Sequence, residues 1–257
     1  MIHLKNEEQI NKIRKACHIT ADMFNELIPK IKAGQTTKEI DKMFENYILA
    51  HGGKPAWWRE DYPGSVCISI NNEVIHGLPS KKRVVKEGDL VSLDVGIDLD
   101  GYISDTTHSV EIGKVPPKVK KLHEVTIECL NAGIAACKVG NRISDISNAV
   151  YEIAAKNGYG VVYDYCGHGV GIEVHEDPSV PNCPSRGANP RIKPGMVLAI
   201  EPMINLGTAD VEVLDDGWTV VTCDGQVSCH EEHTVAVFED HTEVLTDLDY
   251  CGKSILK

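Results

Sequence analysis

The sequence predicts a mixed α/β protein of the α+β kind, built from two α/β halves related by a pseudo-twofold axis. Three observations predict it. Apolar residues recur at helical spacing in some segments and at every second position in others. Those segments run as helices, strands, helices, strands. The second half of the chain then repeats short motifs of the first half in the same order.

Residues 7–30 place Ile10, Ile13, Ala16, Ile19, Met23 and Leu27 along one helical stripe. A second helix is expected over 37–50, with Thr37 as its cap. Strands are expected at about 65–71, 90–97 and 102–112. Helical patterns return over 117–139 and 144–156. Further strands fall near 161–165, 196–204, 211–214, 218–222 and 233–238.

The repeat has a long period. KIKAGQTTKEIDKMFENYILAHGG resembles ACKVGNRISDISNAVYEIAAKNGYG, which sets Gly34, Ile40 and Gly52 against Gly140, Ile146 and Gly158. VIHGLPS and EVHEDPS set His76 against His175. VKEGDLVSLD and IKPGMVLAIE set Asp94 against Glu201. DTTHSV and EHTVAV set Asp105 against Glu232. No linker composition separates the halves. Residues 1–257 therefore read as a single catalytic domain with an internal repeat over about 7–115 and 116–250.

Composition narrows the function. With 257 residues, 42% hydrophobic and 25% charged, the chain has an ordinary globular make-up. A net charge of −12 disfavours direct nucleic-acid binding, which needs a basic face. No apolar run approaches the roughly 18 residues of a membrane span, so no membrane association is expected. The polar start MIHLKNEEQINKIRKA lacks the apolar centre of an export signal. The nine cysteines, Cys251 included, are scattered without a CxxC pair. That disfavours a disulfide framework and a zinc ribbon, and suits a cytoplasmic protein.

Some carboxylates sit where burial should exclude them. In DLVSLDVGIDLDGYISDTTHSV, Val91, Leu93, Val95 and Ile97 form one apolar strand face, and Asp98 to Gly101 form a turn. A symmetric four-residue turn would set Asp94 directly opposite Asp105. Like charges so placed are destabilising unless neutralised. A cation, a shared proton, or another register with one residue exposed would each resolve this. Glu201 interrupts GMVLAIEPMIN with no Lys or Arg in the run, and Glu232 enters the apolar strand of EEHTVAVF. By the repeat these are the counterparts of Asp94 and Asp105. Four carboxylates at one site call for two divalent ions rather than a proton. His168, between Gly167 and Gly169 in CGHGVG, supplies an imidazole, with the Cys166 thiol as a lower-ranked competitor. Such an oxygen-rich set suits Mn, Fe, Co or Zn. His76 and His175 should flank the site from opposite sides, as donors to a developing oxyanion or a substrate amide. His18, His51, His108, His123 and His241 have no such context.

Together these residues resemble the type I methionine aminopeptidases, which have the pita-bread fold, two halves around a curved antiparallel sheet. The resemblance spans about residues 5–247 through SVCISINNEVIHGLP, LDVGIDLDGYISDTT, YCGHGVG with VHEDP, IEPM and EHT. It implies removal of the N-terminal methionine from nascent proteins and peptides when the second residue is small, through a dinuclear centre with a bridging water or hydroxide. It implies that Asp94 chelates one metal, that Asp105 and Glu232 bridge both, and that His168 and Glu201 complete the other. Glu201 would also act as general base, His175 would stabilise the substrate carbonyl, and His76 would contact the scissile amide. Tyr62, Cys67 and Trp218 match positions around the methionine side chain. Asn71 and Ser228 match positions that help hold a monovalent cation, Na or K. Implied partners are peptide and nascent-chain N-termini, with the ribosome as a further candidate, and the chain is expected to be a monomer. Val174 stands where an aromatic is frequent, and Trp57, Trp58 and Arg59 are unusual near the pocket.

Three alternatives stand beside this reading. An Xaa-Pro aminopeptidase or prolidase would suit GHGVGIEVHEDP but carries a sizeable N-terminal domain. A noncatalytic binding protein of the same fold, or a metal-independent creatinase-like enzyme, would be expected to lose metal ligands that this chain keeps.

Overall fold

Asn6 opens the first helix by a reciprocal cap: its side chain accepts from Gln9 N at 2.9 Å, and Gln9 Oε1 accepts from Asn6 N at 3.0 Å. The computed structural model describes residues 1–250 and the backbone of 255–256, so Cys251 lies outside the described residues. Helix α1 spans Glu7–Leu27 and gives way to a 3₁₀ turn, Ile28–Lys30, where Pro29 lacks the N–H that would continue it. Helix α2 spans Thr37–Ala50. Its cap is Thr36 rather than Thr37, because Glu39 then falls three residues on and bonds back to Thr36 N at 2.7 Å. Thr37 is instead buried in the first turn. Helices α3, Pro117–Ala136, and α4, Ile143–Lys156, pack on each other in the second half. Among the described residues, no helix is long and apolar enough to cross a membrane.

The strands form antiparallel sheets. Leu90–Leu99 is central to the first: Tyr102–Glu111 pairs along one edge, and Cys67–Ile70 and Lys54–Pro55 follow each other along the other. A six-stranded sheet forms the counterpart, with His233–Val237, Val197–Ile200, Gly167–Gly169 and Glu176–Val180 as neighbours in that order. Two three-stranded sheets complete the fold. The residues that the repeat superposes share a backbone conformation: φ is +94° at Gly34 and +95° at Gly140, and +79° at Gly52 and +74° at Gly158.

Alternation decides which side chains meet. Val91, Leu93, Val95 and Ile97 pack with Met23, Phe24, Ile40, Phe44 and Ile48 of α1 and α2. Asp94 therefore faces away from those helices. In the second half, Leu198 and Ile200 pack with Leu130, Ile134, Ile143 and Ile146 of α3 and α4. Glu201 then falls on the opposite side. The space between the halves is closed by an apolar cluster that includes Ile10, Ile13, Ile103, Val197, Ala199 and Ala236.

The strand expected near 161–165 is confined to Gly160–Val161, and two further elements differ. The first hairpin turns on two residues, not four: Asp100 and Gly101 have φ of +53° and +86°, the two positive values a type I′ turn requires. The register therefore sets Asp94 opposite Thr107 and Asp105 opposite Gly96. The two aspartates are diagonal neighbours on one face, not a direct pair. The expected strand over 196–204 is two strands in different sheets, Val197–Ile200 and Met203–Asn205, because Pro202 has no N–H for a ladder.

Candidate metal centre

The two halves are stitched together at the site. Glu232 N donates to Thr107 O at 3.0 Å, Thr106 Oγ1 to Glu232 O at 2.6 Å, and Thr234 Oγ1 to Asp105 O at 2.6 Å. These bonds fix Asp105 and Glu232 side by side. Asp94, Asp105, Glu201 and Glu232 are all buried, at 9, 2, 9 and 2% exposure. His168 Nε2 lies 3.5 Å from Asp105 Oδ2 and 3.4 Å from Glu201 Oε1. One donor atom each from Asp105, His168 and Glu232 lie within 4.8 Å of one another.

The donor set fits divalent ions. Asp94 Oδ1, Asp105 Oδ1 and Glu232 Oε1 are buried and have no hydrogen-bond partner in the protein. Burial, and then the neighbouring carboxylates, hold Asp105, Glu201 and Glu232 well above the ordinary carboxylate range, and burial raises Asp94 to about 6. Acids with missing partners and raised pKa values lack positive charge, which is what cations would supply. Burial, with His175 beside it, lowers His168 to about 4, so it is a neutral imidazole at neutral pH. Its Nδ1 lies 2.9 Å from Gly169 O, so Nδ1 carries the hydrogen and Nε2 offers a lone pair.

The glycines flanking His168 make room for backbone rather than for an ion. A Cβ at Gly167 would lie 2.3 Å from Ala199 O, and one at Gly169 would lie 2.4 Å from Asp177 O. Both contacts come from neighbouring strands of the same sheet.

The centre opens into a cavity of about 350 Å³. All five expected ligands line it, as do His76, His175, Tyr62, Cys67 and Trp218. His76 has a left-handed φ of +59°, and burial, with His230 and His175 nearby, lowers its pKa to about 4. The His175 ring is 4.5 Å from that of His168, and burial lowers its pKa also. Tyr62 and Trp218 meet edge to face at 5.2 Å. Cys67 is the strand partner of Asp94. Cys166 lines the cavity but, like Asp94 and Glu201, is not in the tight donor group. Val174 is 1% exposed and belongs to the core between the halves. Trp57 Nε1 donates to Asp94 O at 3.1 Å, Arg59 pairs with Asp98, and Trp58 turns to solvent. Asn71 and Ser228 lie outside the cavity but touch: Ser228 N donates to Asn71 O at 2.8 Å.

Sequence reasoning missed His230, which lines the cavity at 2% exposure with its Nε2 unpartnered. The signal was available. His230 and Glu232 are two apart, so in extended chain they share a side.

A buried carboxylate cluster with one imidazole between two α/β halves has the make-up of a metal centre, and the chain belongs to metallopeptidase family M24, whose profile matches residues 11–239. Within that family its relatives are methionine aminopeptidases. The chain is 56% identical to the methionine aminopeptidase of Treponema pallidum (strain Nichols) over 96% of this chain and 97% of that one. It superposes on the crystal structure of the Thermotoga maritima methionine aminopeptidase with a TM-score of 0.93 at 39% identity, covering 96% of this chain and 100% of the other. Against the prolidase from Pyrococcus furiosus the TM-score is 0.77 at 27% identity, and the match covers 95% of this chain but 65% of the prolidase.

Proposed function

We propose that this protein is a metal-dependent methionine aminopeptidase that releases the N-terminal methionine of peptides and nascent chains whose second residue is small. The observation that carries this is the convergence of four buried carboxylates, three of them with an unpartnered oxygen, and a neutral imidazole on a cavity that also holds three further imidazoles and an aromatic–thiol wall. The close likeness to methionine aminopeptidases over nearly the whole of both chains supports the substrate. The weaker likeness to prolidase, with a TM-score of 0.77 at 27% identity against 0.93 at 39% for the methionine aminopeptidase, disfavours the proline-directed alternative.

In this reading Asp94, Asp105, His168, Glu201 and Glu232 hold two divalent ions of the Co, Mn, Fe or Zn kind. When bound, such ions polarise the scissile carbonyl and lower the pKa of water. Glu201 accepts the proton from the attacking water at its carboxylate. His175 donates to the carbonyl oxygen as it gains charge, and His76 contacts the scissile amide. A neutral imidazole suits both tasks, since it donates one N–H without adding a positive charge beside the cations. Tyr62, Cys67 and Trp218 receive the thioether, which packs well on aromatic and sulfur atoms. Asn71 and Ser228 take a monovalent cation, Na or K, behind the site. The whole chain acts as one domain in the cytoplasm.

The test is release of methionine from Met-Gly-Met and Met-Ala peptides against proline-containing peptides, after loading with Co, Mn, Fe or Zn. Methionine release that a chelator abolishes is the expected result. No release with any of the four ions, or preference for the proline peptides, overturns it. For Glu201→Gln the expected result is retained metal with turnover lower by about 10²–10⁴-fold. Near-normal turnover would remove Glu201 from the proton-accepting role.

A further inference from the structure

His230 is the buried imidazole of the cavity to which the proposed reaction gives no task. It ends the strand Ser228–His230 and pairs in register with Met203, so it reaches the cavity from a neighbouring three-stranded sheet. Its backbone is fixed, because Ser109 Oγ donates to His230 O at 2.9 Å. Its Nε2 is buried, has no hydrogen-bond partner, and lies 3.5 Å from Glu201 Oε2. Glu201 itself is anchored at its backbone, where Asn182 Nδ2 donates to Glu201 O at 2.9 Å.

The Glu201 carboxylate thus stands between two imidazoles, one on each oxygen: His168 Nε2 at 3.4 Å from Oε1, and His230 Nε2 at 3.5 Å from Oε2. The two are not equivalent. His168 carries its hydrogen on Nδ1, so its Nε2 is a lone pair aimed at the centre. With Glu201 ionised, as a metal-bound carboxylate is, His230 Nε2 faces an acceptor oxygen, and two acceptors set against each other in a buried site would repel. That nitrogen therefore needs a hydrogen.

We propose that His230 is a positioning residue: it donates Nε2–H to Glu201 Oε2, and so turns Oε1, with its free lone pair, toward His168 and the metal centre. A donor on the far oxygen of a ligand carboxylate fixes its rotation, and removing such outer partners typically weakens metal binding by about 10–100-fold. The proposal rests on Glu201 being a metal ligand, as in the function proposed above.

Calorimetric titration of the metal-free full chain with Mn(II) tests it in wild type, His230→Leu and His230→Gln. His230→Leu keeps the bulk and loses the donor, and its binding should weaken by about 10–100-fold for one of the two ions. His230→Gln can still donate through its amide and should recover most of that loss. Wild-type affinity in His230→Leu overturns the proposal. A loss in His230→Gln as large as in His230→Leu overturns it too, and makes His230 a ligand. A wild-type chain that takes up no metal would instead overturn the metal reading itself. Should His230→Leu fail to fold, imidazole ¹⁵N spectra of the Zn-loaded wild type decide alone: Nε2 keeps its proton if His230 is a donor and loses it if His230 binds the ion.

Discussion

Glu231 and Glu232 are adjacent, both buried, and opposite in fate. Glu232 faces the cavity with Oε1 unpartnered, and burial and then Glu201 and Asp94 push its pKa well up. Glu231 faces the other way, toward a separate surface pocket lined by His108 and His123. There Ser109 N donates to its Oε1 at 2.9 Å, His123 Nε2 lies at 3.1 Å, and His108 Nδ1 lies 3.5 Å from its Oε2. Burial alone would raise Glu231, but bonds from His108 and His123 outweigh it and hold the acid at about 2. The same residue type at the same depth is either completed by the protein or left for something the protein must bind. That contrast, rather than acidity itself, separates a structural acid from a candidate metal ligand.

Glu232→Gln should show the largest effect. With one proposed bridging carboxylate gone, turnover should fall by at least about 10³-fold. The metal-free protein should respond in the opposite sense. A carboxyl whose folded pKa is raised stabilises the fold below its unfolded value near 4.5, and that contribution is lost as pH rises toward the folded pKa. The metal-free wild type should therefore lose stability between pH 5 and 8, and Glu232→Gln should flatten that loss and melt higher at pH 8. Scanning calorimetry with and without a chelator measures both. A metal-free Glu232→Gln protein less stable than wild type at pH 8 would break the comparison.

Glu231→Gln should do the reverse, sparing the chemistry and harming the fold. The drop from 4.5 to about 2 corresponds to about 3 kcal/mol at neutral pH. For a carboxyl with a depressed pKa that stability is present above about 4.5 and is lost as pH falls toward 2. Urea unfolding at pH 6.5 should show the full deficit, and at pH 3.5 one smaller by about a third. Metal uptake should be unchanged. An equal deficit at both values would mean that packing, not charge, holds Glu231.

How much of this was legible depended on whether the signal was local. Helices α1 to α4 and the long hairpin follow from periodicity, and the repeat alone brings Asp94, Asp105, Glu201 and Glu232 to one place. The hairpin register was not legible, because Asp98 to Gly101 suits either a four- or a two-residue turn, and only the backbone shows positive φ at Asp100 and Gly101 alone. Strands such as Gly167–Gly169, Glu176–Val180 and Ser228–His230 carry too few alternating apolar residues to read, and they exist because partners align them. His108 and His123 looked idle for the same reason. Their partner, Glu231, is 123 and 108 residues away along the chain, and nothing local announces it.

His123→Asn sharpens the contrast most finely. His123 bridges two acids, with Nδ1 2.9 Å from Glu111 Oε1 and Nε2 3.1 Å from Glu231 Oε1. Burial alone would lower its pKa, but the bonds to Glu231 and Glu111 prevail and raise it. An imidazole with a raised folded pKa contributes stability that is whole below its unfolded value near 6.5 and is lost as pH rises through the folded one. Glu231 keeps His108 and Ser109 N after the substitution, so the cost should be about 2 kcal/mol, the scale of one hydrogen bond to a charged group. The deficit should be largest near pH 5.5 and shrink by pH 8.5, a trend opposite to that of Glu231→Gln over its own range. A deficit that instead grew with pH would mean that His123 is held as a neutral acceptor, and that Glu231 owes its low pKa to His108 and the backbone alone.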